Sequence, residues 1–366
     1  MGSKPRLLVL IGSGELAAQM TRGHRMLVER LTGGRGRASE VRAAIIDTPY
    51  GFQSNADALS ATLLDYFGRR IGMEASLASF RRSDDDAVAR EAAFALIREA
   101  DFVFSGPGSP SYALRQWTGS PVPELLNDKL RNGGALVFAS AAALTLGRLT
   151  VPVYEIYKGG ADPYWIDGLD VLSTIGVNAA VIPHYDNAEG AGHDTRYCFL
   201  GERRLAILED TMPSDVFVLG IDEHTALLID IDAGQAFVHG RGGITIRRRG
   251  ESEFIATGES LALDRLAGGS SQATQRPTKP ESTATDDTAT LARRLLALED
   301  RWEALDQRAR LVEPLIENLL DLRQKARDAG DYATADDIRD RLMSVGVEVA
   351  DIAGQRTQFR LPEQSA

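Results

Sequence analysis

The stretch Gly133-Gly134-Ala135-Leu136-Val137-Phe138-Ala139-Ser140-Ala141-Ala142-Ala143-Leu144 decides the fold. Its apolar run after a double glycine reads as a buried parallel strand. The run Ala141 to Leu146 has high helix propensity and reads as the helix that follows. Between the two sits one hydroxyl, that of Ser140. A nucleophile at a sharp strand-to-helix turn stands clear of the sheet, and the new helix aims its first N–H groups at an oxyanion formed there. The small residues Ala139, Ala141 and Ala142 suit so crowded a turn. Serine is also a favoured N-cap, so this segment by itself leaves two readings open.

Working outward, strands and helices alternate. Arg6 to Ile11, Ala43 to Ile46, Met73 to Leu77, Asp101 to Phe104 and Ala179 to Ile182 read as further strands. Helices are expected near Leu16–Leu31, Ser54–Phe67, Tyr112–Trp117 and Leu125–Arg131, with another capped by Ser83 that begins at Asp84-Asp85-Asp86. That order predicts an α/β fold with a doubly wound, mainly parallel sheet. Sites in such sheets lie beyond the carboxyl ends of the strands. Ser140, the turn Gly106-Pro107-Gly108 and the glycines of Gly12-Ser13-Gly14-Glu15 all fall at such ends.

Gly12-x-Gly14-x-x-Ala17 after a strand has the outline of a dinucleotide fingerprint. The acid that should follow about twenty residues later is missing at that spacing, because Asp47 lies much further on. The glycines are therefore read as a tight turn, and neither an organic cofactor nor a metal is expected.

Beyond Val216 the texture changes to short β-rich runs, Ala226–Ile231, Gln235–His239 and Gly243–Arg248, read as an antiparallel meander closing a first domain near residue 265. Residues 266–289 are rich in Gly, Ser, Thr, Gln and Pro and read as a disordered linker. From 290 to 366, leucines at three- and four-residue spacing indicate a small helical domain, with a break at Pro314, an end at Gly330 and a last helix over Tyr332–Met343.

The whole chain has 366 residues, 43% hydrophobic and 25% charged, as in ordinary soluble proteins. A net charge of −11 argues against broad non-specific nucleic-acid binding. Cys198 is the single cysteine, which permits no internal disulfide and suits a reducing cytoplasm. The apolar run Leu7 to Ile11 is too short to span a membrane or to be a signal peptide. A cytoplasmic protein, with a homodimer as one arrangement, is expected.

A serine nucleophile needs a base, and the base an orienting acid. Of the five histidines, only His184 directly follows a predicted parallel strand, on the same edge as Ser140; His193 and His224 are the fallback bases. The acids in view are Glu155, Asp186 and Asp194. The backbone N–H groups of Gly108 and Ala141 are the candidate oxyanion donors.

The order Gly106-Pro107-Gly108-Ser109, then Phe138-Ala139-Ser140-Ala141-Ala142-Ala143, then Ile182-Pro183-His184-Tyr185-Asp186-Asn187 with Thr195-Arg196 resembles the dipeptidase E and cyanophycinase family of serine peptidases, over about residues 5–250. Gly220-Ile221-Asp222-Glu223-His224-Thr225-Ala226 fits that family's closing β segment. The resemblance implies a class I glutamine amidotransferase-like fold, with Ser140 as nucleophile, His184 as base and Glu155 as acid. It also implies a small peptide or amide as substrate, with Arg196 binding it. In this chain Ala139 and Ala142 replace the glycines of the family's elbow, and Pro107 replaces a glycine of the oxyanion turn. An inactive, binding-only hydrolase fold is therefore the second reading.

A separate resemblance covers about fifty residues, from Leu319-Leu320-Asp321-Leu322-Arg323-Gln324-Lys325-Ala326-Arg327 through Asp336-Asp337-Ile338-Arg339-Asp340-Arg341-Leu342 to Phe359-Arg360. This segment is similar to the C-terminal region of cysteinyl-tRNA synthetase. It implies tRNA as a partner, held by Arg323, Lys325, Arg327, Arg339 and Arg341. From residue 291 the chain carries 12 basic and 15 acidic side chains, so any RNA contact must be local.

Overall fold

Five short apolar runs make the parallel centre of the molecule: β1 (Arg6–Ile11), β2 (Ala43–Ile46), β3 (Ala75–Ala78), β4 (Phe102–Ser105) and β5 (Gly134–Ala139). They pair in the order β1-β5-β4-β2-β3, all parallel. The computed structural model describes residues 4–34, 36–189 and 193–267, and further on 319–320, 323–325, 327, 338, 348–350 and 358–360. The chain divides into two units, Met1–Pro280 and Glu281–Ala366. The greater part of the expected linker and of the C-terminal helices lies outside the described residues.

Side chains alternate across these strands, as a period of two requires. Leu7, Val9, Ile11, Phe102, Phe104, Ala135 and Val137 face one core, with Met20, Leu27 and Val28 of helix α1 (Ala18–Leu31) and Leu63 of α2 (Ala56–Tyr66). Leu8, Leu10, Val103, Leu136 and Phe138 face the other, with α3 (Ala87–Glu99), α4 (Pro110–Trp117) and α5 (Val122–Asn132). Both faces are covered, which explains why the strands read as unbroken apolar runs. Asp86, not Ser83, caps α3, its carboxylate accepting from the N–H groups of Val88 and Ala89. As the last acid before the helix, it is the one whose side chain reaches both donors.

After β5 come α6 (Ala141–Thr145), the two-stranded pair β6 (Leu149–Thr150) and β7 (Ile166–Asp167), and between them α7 (Val153–Tyr157). Then follow β8 (Ala179–Ile182), α8 (Gly201–Asp210) and β9 (Phe217–Ile221). The remaining strands of the unit are β10 (Thr225–Asp230), β11 (Gln235–Gly240), β12 (Gly243–Arg248), β13 (Glu251–Ala256) and β14 (Ser260–Ala262). The expected meander is split between two sheets. β10, β11 and β14 extend the large sheet as an antiparallel edge, eight strands in all. β12 instead joins a second sheet of order β13-β12-β9-β8, the chain bending at Arg241-Gly242 after Gly240, whose φ is +129°. In that second sheet β8 and β9 are parallel, with Ile182 opposite Gly220. Val181, Leu219, Ile244 and Ile246 pack into the same core as Leu136 and Phe138, locking the two sheets together.

The second unit is not purely helical: β15 (Glu348–Ala350) and β16 (Gln358–Arg360) pair as an antiparallel hairpin. The valines at 347 and 349 and the Phe359 that follow the last leucine repeat carry strand propensity. Among the described residues, no helix is long and apolar enough to cross a membrane.

Candidate active site

Ser140 occupies the joint between β5 and α6 with φ +49° and ψ −120° and makes no side-chain cap. Its N–H donates to Ile11 O at 3.0 Å, which ties the turn to the end of β1. Of the two readings of this serine, the cap is thus excluded. The backbone strain sits on the serine itself: Ala139 and Ala142 keep negative φ, so methyl groups are tolerated where the resembling family has glycines.

The hydroxyl of Ser140 lies 3.0 Å from Nε2 of His184. Nδ1 of the same ring lies 2.8 Å from Oε1 of Glu223. A ring nitrogen facing a carboxylate carries the proton, so Nε2 is left as the acceptor for the Ser140 O–H. The His184 bond holds the Glu223 carboxyl below the usual carboxylate range. Asn187 Nδ2 donates to the same oxygen at 3.3 Å, and Asp186 accepts from the Glu223 N–H at 2.7 Å.

Glu155 is not in this chain of contacts. It lies in the first turn of α7 and accepts from Ser111 Oγ at 3.0 Å, whereas the carboxylate that faces the imidazole is that of Glu223. The sheet register explains it. β8 and β9 run side by side, and each is followed two positions past its end by a member of this contact chain: His184 after Ile182, Glu223 after Ile221. The signal was present in the sequence, since Phe217–Ile221 is an apolar run ending in Asp222-Glu223-His224 just as Ala179–Ile182 ends in Pro183-His184.

The fallback groups are engaged elsewhere. His193 stacks on Tyr157, and the His224 N–H donates to Ser13 Oγ while its ring presses on Gly14, where an added methyl would come within 2.2 Å of Nδ1. That closeness, with φ +67° at Gly14, accounts for the glycine turn without a dinucleotide. Asp194 holds Arg196 through two bonds of 2.7 and 2.8 Å. The substrate role implied for Arg196 therefore meets a guanidinium already paired.

On the other side of Ser140, Gly108 has φ +143°, and a methyl there would meet Pro49 O at 2.0 Å. No side-chain-bearing residue fits this approach. Among the described residues the N–H groups of Gly108 and Ala141 make no hydrogen bond. Pro107 removes an N–H one position earlier and leaves that of Gly108 in place.

The segment that grips His184 is strained. Tyr197, Cys198 and Phe199 are all left-handed, with φ of 60°, 56° and 68°. Each such residue costs about 1–2 kcal/mol. Cys198 N–H donates to His184 O and Tyr197 N–H to Tyr185 O. Burial pushes the Cys198 thiol up to about 12, so it is a packing group rather than a thiolate. The turn is anchored to α8, where Arg247 of β12 donates to Glu202 at 2.6 Å and to Glu209 at 2.8 Å, and the Tyr197 hydroxyl donates to Glu202.

In the second unit, Arg323 is buried, Lys325 exposed and Arg327 half-buried. Residues two apart on a helix lie about 200° around the axis, so Arg323 and Lys325 do not form the single basic face expected. Arg339 and Arg341 lie outside the described residues.

These features define a serine-hydrolase-like arrangement on an α/β sheet fold. The fold is shared with a peptidase from an acI-B1 Actinobacterium at TM-score 0.57 and 21% identity, covering 72% of this chain and 98% of that one. A candidate peptidase E protein from Listeria monocytogenes EGD-e aligns at TM-score 0.40 and 14% identity over 68% of this chain and 99% of its own. Residues 309–360 match the model of the cysteinyl-tRNA ligase anticodon binding domain.

Proposed function

We propose that residues 1–265 form a serine-type peptidase or amidase on a class I glutamine amidotransferase-like scaffold. Ser140 Oγ attacks the amide carbonyl while His184 Nε2 takes its proton. Glu223 holds the imidazole in the required tautomer and stabilises the imidazolium that forms. The N–H groups of Gly108 and Ala141 receive the oxyanion. His184 then gives its proton to the leaving amine, and water releases the acyl group by the same route in reverse. The observation that carries this reading is the continuous chain Ser140–His184–Glu223, at 3.0 and 2.8 Å. A fluorophosphonate probe should label the wild-type chain and not Ser140→Ala; equal absence of labelling would leave the binding-only reading.

The tail has its own support in the match over residues 309–360. We infer that it contacts tRNA, a cytoplasmic partner in keeping with a chain whose one cysteine is unpaired. Full-length protein should retain tRNA at physiological salt, and charge reversal at Lys325 and Arg327 should weaken retention. Arg323 is unsuitable for that test because it is buried.

A further inference from the structure

A cavity of about 360 Å³ lies between α3 and the chain that links α4 to α5, and none of its lining residues belongs to the candidate active site. Sites for small ligands begin at roughly this size, about 300 Å³. One wall is a stripe of α3: Ala87, Arg90, Glu91 and Phe94 recur at three- and four-residue spacing and so share one helix face. The facing wall is Gln116, in the last turn of α4, and the loop that ends at Pro121. Phe80 and Phe94, both buried, form the floor, their rings edge to face at 5.0 Å.

Two polar side chains on these walls have donors to spare. Gln116 is 8% exposed; its Oε1 accepts from the Ser83 N–H at 2.8 Å, and its Nε2 has no acceptor among the described residues. Arg90 is half-buried and donates from Nη1 to Ser83 O at 2.5 Å. Its Nε is shut off from water without an acceptor, and among the described residues the guanidinium makes no salt bridge.

The acids of the neighbourhood are committed elsewhere. Asp84 is held by Arg82 through bonds of 2.7 and 2.8 Å, and Asp85 accepts from the Arg82 N–H. Asp86 caps α3, and Glu91 pairs with Arg98 at 3.6 Å. A guanidinium held partly out of water without a counter-ion favours an incoming anion, and a carboxylate also satisfies an amide N–H that has lost its water. The aromatic floor in turn favours an apolar body beneath that charge.

The geometry points to a second binding site, in which Arg90 and Gln116 hold the carboxylate of a small organic acid whose flat apolar part lies over Phe80 and Phe94. This site is separate from Ser140, and it does not rest on the peptidase reading.

The test is calorimetric binding to the full-length chain, with 3-phenylpropanoate, 3-phenylpropanamide, propanoate and inorganic phosphate as probes. 3-Phenylpropanoate should bind at least about five-fold tighter than its amide, through hydrogen bonds to a charged group, and tighter than propanoate or phosphate, which lack the ring. Arg90→Gln should abolish the preference for acid over amide, whereas Arg90→Lys should keep part of it. Gln116→Glu keeps the acceptor for the Ser83 N–H and replaces the free amide with a negative oxygen. It should therefore weaken 3-phenylpropanoate more than 3-phenylpropanamide. His184→Ala, which alters the candidate active site, should leave all four affinities unchanged. No saturable binding at millimolar concentration, equal binding of acid and amide, phosphate binding as tight as 3-phenylpropanoate, or a preference that survives Arg90→Gln overturns the inference. Loss of binding in His184→Ala overturns it too, since the ligand would then sit at the imidazole. Failure of Ser140 to take a fluorophosphonate would count against the peptidase reading and leave these results standing.

Discussion

The large sheet and the small sheet contribute opposite halves of the candidate site, and they do so in different styles. The large sheet brings Ser140 and Gly108 at the ends of neighbouring parallel strands, each at a turn set by a few adjacent residues. The small sheet brings His184 and Glu223, and the chain around them is under backbone strain. Eight non-glycine residues have positive φ among the described residues. His184, Tyr197, Cys198, Phe199 and His224 are five of them, all at or beside His184 and Glu223, whereas the large-sheet side contributes Ser140 alone. Strain of this kind persists only where the surroundings over-determine it. The comparison teaches that Ser140 is placed by local turn chemistry, and His184 by a loop forced into shape from outside.

The sharpest break in this comparison is between the two glutamates. Glu223→Gln should lower kcat on a peptide or amide substrate by about 10³–10⁴-fold, the scale lost when the acid behind a catalytic histidine becomes an amide. Glu155→Gln, away from the imidazole, should change kcat by less than about ten-fold. Reversal of these two results would move the acid back to α7.

Next comes the outside support of the strained loop. The Arg247 side chain is 5% exposed and joins Glu209, 6% exposed, to Glu202. Arg247→Met leaves two carboxylates without their cation, at a cost of about 3–5 kcal/mol. Chemical denaturation should show that loss, and labelling of Ser140 should slow at temperatures where the protein is still folded.

On the large-sheet side, the comparable prediction concerns His24. Burial lowers its pKa from 6.5 to about 4, so it is neutral in the fold. The unfolded chain binds a proton here between those values and the folded chain does not. Stability therefore declines as pH falls from about 6.5 and levels off below about 4, by about 3 kcal/mol in total. His24→Gln should flatten this part of the melting-temperature profile. The smallest effect is at a surface cap: Asp86→Ala should cost about 1 kcal/mol in denaturation through loss of the α3 cap.

The parallel sheet, the Ser140 turn and His184 were legible because each is written locally: an apolar run, then a residue whose chemistry stands out. Glu223 was written by the same rule and was missed. The β-rich texture from Val216 onward suggested one meander, which hid β9 as a parallel partner of β8. Only the Ile182–Gly220 register shows that the two strand ends coincide. The left-handed turn at Tyr197–Phe199 left no trace in composition, since no glycine marks it and Arg247, which anchors it, lies some fifty residues away.

Leu136 and Phe138 of the large sheet share one interior with Val181 and Leu219 of the small one. The spacing between hydroxyl and imidazole is consequently fixed by hydrocarbon contacts deep beneath the surface. Warming that loosens the seam should silence turnover several degrees before cooperative melting, and an enlarged or shrunken side chain buried there should detune the reaction from a distance.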